Sequence, residues 1–215
     1  MRIMRRGAVL ACVLLALTGW PEAAGTGSQA ASPTVRRAQA RQGRTVPKAQ
    51  PRTHGRRVEV GRGLLHVNDG DTVSIRWKAA DVEVVRILGI DAPETSAPEH
   101  NIPHAQEFGA EARTFAQGAF AVAERIELLR AGTLDAYGRT LGYVFLNGQN
   151  YSVLVIRARL AEESVSRFGD NGLPAEAADV ARAAREAGPL PFESPTLFRA
   201  RMRRLADWMK TQRSP

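Results

Sequence analysis

"VNDGDTVSIRWKAADVEVVRILGIDAPET", residues 67–95, is the stretch from which the fold of this chain is read. Val73, Ile75 and Trp77 alternate with Thr72, Ser74, Arg76 and Lys78, the two-residue period of a half-buried strand. Asn68-Asp69-Gly70 breaks the chain ahead of it as a hairpin turn does. Residues 82–90 read as a further strand with apolar side chains at both parities, which predicts cover on both faces. That strand runs into Asp91-Ala92-Pro93-Glu94, where the proline biases Ala92 to an extended conformation and holds two acids at a fixed separation.

Working outward, alternation extends back to residue 58. On the far side Phe108, Ala112, Phe115, Ala119 and Val122 recur at helical spacing and predict an amphipathic helix over 105–124. Residues 125–129 and 139–146 read as strands, and Asn147-Gly148 after the second is a hairpin signal. Residues 152–160 and 174–187 read as helices, the latter opening on a proline and closing at Gly188-Pro189. The predicted fold is mixed and mainly β: a five-stranded Greek-key barrel of the OB-fold type, closed, with about three packed α-helices.

The ends differ from the middle. Arg2, Arg5 and Arg6 followed by apolar residues 8–17 and by Ala23-Ala24-Gly25 predict a secretion signal peptide over 1–25, the alternative being an uncleaved anchor. The apolar stretch ahead of Cys12 is too short for a lipoprotein site. Cys12 is the single cysteine of the 215 residues and lies in that leader, so an exported domain would rest on its core without disulfides. Residues 26–57 carry eight Lys or Arg and no acid, with few large apolar side chains, and predict a disordered basic linker or propeptide. The formal net charge of +8 therefore comes from the ends: residues 58–215 hold 19 basic and 21 acidic residues. A catalytic-type domain over 58–190 and a basic amphipathic extension over 191–215 complete the expected organisation. In the extension Phe198, Met202, Leu205, Trp208 and Met209 form a stripe surrounded by Arg199, Arg201, Arg203, Arg204 and Lys210. Such a helix either docks on the barrel or meets nucleic acid or an anionic membrane.

Chemistry concentrates on the turns. Asp71 continues the inward stripe of Val73, Ile75 and Trp77 and should sit at the barrel rim, while Asp91 closes the third strand. Two carboxylates and the Ala92 carbonyl, completed by water, make a hard oxygen site suited to Ca²⁺ or, less well, Mg²⁺. Glu94 on the same turn can hold a water as general base. Arg86 precedes the turn by five residues and Arg139 follows Asp135-Ala136-Tyr137-Gly138; two arginines and a divalent cation on one phosphate are equipment for phosphoryl transfer. Singly, each residue has a bland role, in a turn cap, a solvated side chain or an ordinary ion pair. Nothing in folding requires all of them together on three turns of one barrel.

"VNDGDTVSI" (67–75), "VVRILGIDAPET" (84–95), "EFGAEA" (107–112) and "LDAYGRTLGYVF" (134–145) resemble, in order, the signatures of the staphylococcal nuclease-like (thermonuclease) family over about residues 64–188. The resemblance implies an OB-fold endonuclease that cleaves DNA and RNA with Ca²⁺, leaving 3′-phosphate and 5′-hydroxyl ends. It implies Asp71, Asp91 and the Ala92 carbonyl as metal ligands, Arg86 and Arg139 as phosphate clamps, and Glu94 as the base. Tyr137 is the candidate for lining the nucleotide site. Where well-known members carry tyrosines over the terminal nucleotide, this chain reads "LAEESVSRF" (160–168), with Phe168 the alternative stacking platform to plain packing. The segment 96–107 is longer than in the shortest members.

The expected protein is thus a secreted, monomeric, calcium-dependent nuclease. A catalytically silent nucleic-acid-binding module or an envelope-associated adaptor is the alternative. His100 and His104 share a segment with Pro98 and Pro103, where a helical zinc pair is not expected, and no GxSxG element, phosphate-cradling Gly-Lys loop or cysteine nucleophile supports other chemistry.

Overall fold

The computed structural model describes residues 47–213. The expected signal peptide, and the expected linker as far as residue 46, lie outside the described residues. The strands are β1 (Arg57–Glu59), β2 (Leu65–Val67), β3 (Thr72–Lys78), β4 (Asp81–Ile87), β5 (Ile90–Asp91), β6 (Ile126–Leu134), β7 (Thr140–Leu146), β8 (Gln149–Asn150) and β9 (Glu162–Glu163). The helices are α1 (Gly109–Val122), α2 (Tyr151–Arg157), the single turn α3 (Val165–Phe168), α4 (Pro174–Ala187) and α5 (Pro195–Arg213).

The main sheet runs β1-β6-β7-β4-β3-β2, with β8 on β7, and it curls around the core as a partial barrel of OB-fold character. Among the described residues its edge strands β1 and β2 do not pair, so the hydrogen-bonded path is open where a closed ring was expected. The β4–β7 pair is parallel while its neighbours are antiparallel. This crossing sets Leu141 opposite Arg86 and so brings the start of β7 beside the end of β4.

The predicted inward stripe is buried at Val73 and Ile75 and half-buried at Trp77, and Val85, Ile87, Leu128, Val144, Val155 and Val180 close over it. Each such side chain contributes about 1.5–3 kcal/mol relative to exposure. β4 is buried on one parity only, through Glu83, Val85 and Ile87, while Val82 is exposed and Val84 and Arg86 are half-covered.

Several expectations are corrected. The helix predicted over 105–124 begins at Gly109, and its buried face is Gly109, Ala112, Ala116 and Phe120; Val122 faces solvent. The shift follows from Phe108, which takes a left-handed conformation (φ 65°) and ends the loop instead of opening the helix. The predicted disorder does not extend through residues 47–57. Ala49 bridges to Thr133, Gln50 is buried against the Thr140 hydroxyl at 3.1 Å, and β1 pairs with β6. Arg52 of that segment pairs with Asp81 and lies 3.6 Å from Glu83. Basic composition predicted solvation because the acids that receive it lie far along the chain.

Beneath this segment Glu83 accepts two hydrogen bonds of 2.7 Å from Arg130, and one each at 2.7 Å from Thr140 and Trp77. Burial works to raise the Glu83 pKa, but these donors and the Arg130 charge outweigh it and hold the carboxyl below its usual range. Among the described residues no helix is long and apolar enough to cross a membrane.

Candidate active site

Strand register puts the first acid and the first arginine together. Thr72 pairs with Arg86 across β3–β4, so Asp71 stands one residue beyond the hairpin register, and its carbonyl accepts the Ile87 N–H at 2.8 Å. The Asp71 carboxylate then meets the Arg86 guanidinium directly, and takes the Ala92 N–H at 2.7 Å on its other oxygen. Arg86 reaches on to Asp91 at 3.0 Å and to the Ile90 carbonyl at 3.2 Å. One guanidinium is therefore shared by two carboxylates that are 6% and 3% exposed. Burial chiefly pulls the Arg86 pKa below the ordinary arginine value, with Arg139 and Arg199 adding to that and Asp91 and Asp69 opposing it. Burial likewise raises the Asp69 carboxyl, against the pull of Arg86.

Small residues let three turns meet at this point. A side chain at Gly70 would come within 2.7 Å of the Ala92 Cβ and 3.2 Å of the Ala112 Cβ, and one at Gly109 would overlap the Glu94 carbonyl oxygen. Hence the glycines of "NDGD" and "FGAEA" have a shared reason: they let the Asp71 turn, the Asp91–Glu94 turn and the first turn of α1 close up. Gln106 fixes the last of these, accepting the Glu94 N–H at 3.2 Å while its own N–H donates to the Glu94 carbonyl at 2.8 Å. Tyr151 and Ser152 at the start of α2 pin the neighbouring turns through the Gly70 and Leu88 carbonyls, at 2.8 and 2.7 Å.

Sequence reasoning missed one member. Arg199 of α5 grips Asp91 with both terminal nitrogens, at 3.0 and 2.6 Å, and reaches Glu94 at 2.5 Å. Burial works against its charge, but its bonds to Asp91 and Glu94 outweigh that and put its pKa above the ordinary arginine value. The only signal in the sequence is its place beside Phe198 on the edge of the apolar stripe. The carboxylates it meets lie over a hundred residues earlier, beyond any local pattern.

Arg139 is half-exposed and bonded to Asp135 of its own turn at 2.6 Å, near enough to Arg86 to act on its charge but outside the carboxylate cluster. Tyr137 is 88% exposed, with the Arg139 guanidinium 5.6 Å from its ring centre. Phe168 is also exposed and lies 5.1 Å from the Arg167 guanidinium, so it is not core packing. His100 and His104 are both exposed.

Asp71 and Asp91 are hard oxygen donors held close enough to share one guanidinium, a donor set that suits a hard divalent cation. Among the described residues no group of three or more His, Cys, Asp or Glu surrounds a common point. A cation here would have two carboxylates and would need a backbone carbonyl and water to complete its shell.

Residues 84–188 match the family model described as staphylococcal nuclease homologue. The chain is 38% identical over 105 residues to a thermonuclease of Staphylococcus intermedius, covering 48% of this chain and 56% of that protein. It is 33% identical over 105 residues to a thermonuclease of Staphylococcus hyicus, with the same coverage of 48% and 56%. It is also 30% identical over 103 residues to the SPbeta prophage-derived endonuclease YokF of Bacillus subtilis (strain 168), covering 43% of this chain and 30% of that protein. The chain thus spans about half the length, or less, of these curated relatives. Motif order and family model thus liken residues 84–188, just under half of this chain, to the staphylococcal nuclease-like family, and the partial-barrel fold agrees.

Proposed function

We propose that this protein is a calcium-dependent endonuclease that hydrolyses phosphodiester bonds of DNA and RNA with little sequence preference, leaving 3′-phosphate and 5′-hydroxyl ends. The observation that carries the reading is the cluster in which Arg86 joins Asp71 to Asp91 and Arg199 joins Asp91 to Glu94. The names of the thermonuclease and endonuclease relatives support the same reaction class.

In this reading Asp71, Asp91 and the Ala92 carbonyl hold Ca²⁺, which when bound supplies positive charge at the phosphate. Glu94 orients a water and takes its proton as the oxygen attacks phosphorus in line with the departing 5′ oxygen. Arg86 and Arg139 donate to the non-bridging oxygens as charge grows there. Gln106 keeps the Glu94 backbone fixed, and Tyr137 beside Arg139 offers a face to the sugar or base. The signal peptide reading makes the enzyme secreted, it acts as a monomer in this proposal, and the exposed Arg203 and Arg204 of α5 add weak attraction to polyanions.

The test is incubation of the full chain with plasmid DNA and with RNA, in Ca²⁺ and in chelator. Cleavage only with Ca²⁺, lost in Glu94→Gln, is expected. Intact nucleic acid under every metal condition from a folded protein would leave a binding module in place of the enzyme.

A further inference from the structure

The C-terminal helix lies outside residues 84–188, yet it supplies more donors to Asp91 than the barrel does. A carboxylate offers about four lone-pair positions. On Asp91 one oxygen takes Arg86 at 3.0 Å and Arg199 at 3.0 Å; the other takes Arg199 at 2.6 Å and, at the 3.5 Å limit, the Thr196 hydroxyl. All four positions are filled by protein, three of them from α5. Arg199 also covers Glu94 at 2.5 Å, and Thr196 steadies the guanidinium at 3.1 Å.

From this geometry we infer that Arg199 is a resident cation on the calcium site: α5 holds the site closed, and Ca²⁺ binds in competition with it. The inference rests on the calcium reading above. Charge points the same way. Arg86 and Arg199 nearly balance Asp71, Asp91 and Glu94, so a dication entering beside both arginines would face an excess of positive charge unless one withdraws. Arg199 is the one able to leave, because Arg86 sits within β4 while α5 is anchored through a small contact. That contact is Phe198 and Met202 on Ile102, with Leu205 and Ala97 partly buried beside them. It is supplemented by Phe192 against Phe108 at 5.8 Å, Gln106 to the Glu193 carbonyl at 2.5 Å, Lys210 to Asn101 at 2.8 Å, the Ser194 hydroxyl to Glu162 at 2.7 Å and Arg167 to the Thr196 hydroxyl. The landing loop around Ile102 belongs to the 96–107 segment that leads from the Glu94 turn to α1, so α5 rests on the chain that flanks the site. Elements with few buried apolar contacts occupy the low end of local opening free energy.

Calorimetric titration of Ca²⁺ into the full chain, Arg199→Gln and Arg199→Lys, with amide exchange over 195–213, tests the competition. When one bound group alters the affinity for another, the change usually amounts to roughly 5- to 150-fold. Arg199→Gln is expected to bind Ca²⁺ about tenfold or more tightly than the full chain, with Arg199→Lys in between because it loses the planar fork but keeps the charge. In the unsubstituted protein Ca²⁺ should speed exchange of the α5 amides, a readout that needs no variant to fold. Equal or weaker Ca²⁺ affinity in Arg199→Gln, with α5 exchange indifferent to Ca²⁺, overturns the inference alone if Asp71→Ala still abolishes binding. Absence of Ca²⁺ binding in every protein overturns the calcium reading and the inference with it.

Discussion

Asp71 takes the backbone N–H of Ala92 on one carboxylate oxygen, at 2.7 Å, while its other oxygen meets Arg86. A single side chain thus ties the hairpin before β3 to the turn after β5, and a substitution there loses a proposed metal ligand and a tether together. Asp71→Ala is expected to abolish the Ca²⁺ isotherm in calorimetry and to lower stability by about 1–3 kcal/mol through the unpaired Ala92 N–H and the lost ion pair with Arg86. An unchanged isotherm would remove Asp71 from the metal site.

The two clamping arginines should separate by stability. Arg139→Ala and Arg86→Ala are each expected to lower the cleavage rate about 10²-fold or more. Arg139 pairs with the half-buried Asp135 of its own turn, so its loss should move the melting point little. Arg86→Ala leaves the buried Asp71 carboxylate without its cation, while Asp91 keeps Arg199, and a loss of about 3–5 kcal/mol is typical for such a broken pair. Equal rates in wild type and Arg139→Ala would leave that arginine outside the mechanism.

Gly109→Ala probes the closure of α1 on the Glu94 turn. The added methyl overlaps a backbone oxygen that cannot rotate away, so either the turn or the helix must shift. Denaturant unfolding should show a loss of about 1–3 kcal/mol, and cleavage should fall with it because Glu94 moves. By contrast Gly118→Ala, which meets nothing within 4 Å, should be stabilising or neutral.

Acid should weaken the fold at the opposite end of the barrel. The Glu83 carboxyl is held below its usual value, so its contribution is fully present above the unfolded carboxyl pKa of about 4.3. That contribution is lost as pH falls through the folded value. Glu83→Gln is expected to destabilise by about 3 kcal/mol at neutral pH, since Arg130 then lies buried without its anion. The difference from wild type should shrink as the buffer is taken below about pH 4. A pH-independent difference would show that the network acts by shape alone.

Local patterning determined much of this protein. The two-residue period over β3, the Asn68-Asp69-Gly70 turn and the Asp91-Ala92-Pro93-Glu94 turn are set by side-chain alternation and backbone restriction, which act between near neighbours. These suffice to propose the mainly β barrel and to single out Asp71, Arg86, Asp91 and Glu94 as candidates. Packing alone decided the rest. The start of α1 was placed too early because Phe108 adopts a left-handed turn, and residues 47–57 were read as solvated because their partners Thr133, Thr140, Asp81 and Glu83 are remote. Arg199 is the sharpest case. Rotation of α5 by about half a turn, or another landing place than Ile102, would point the same residue into water. Its meeting with Asp91 and Glu94 is decided by the docking of α5, a long-range contact that no spacing in the chain encodes.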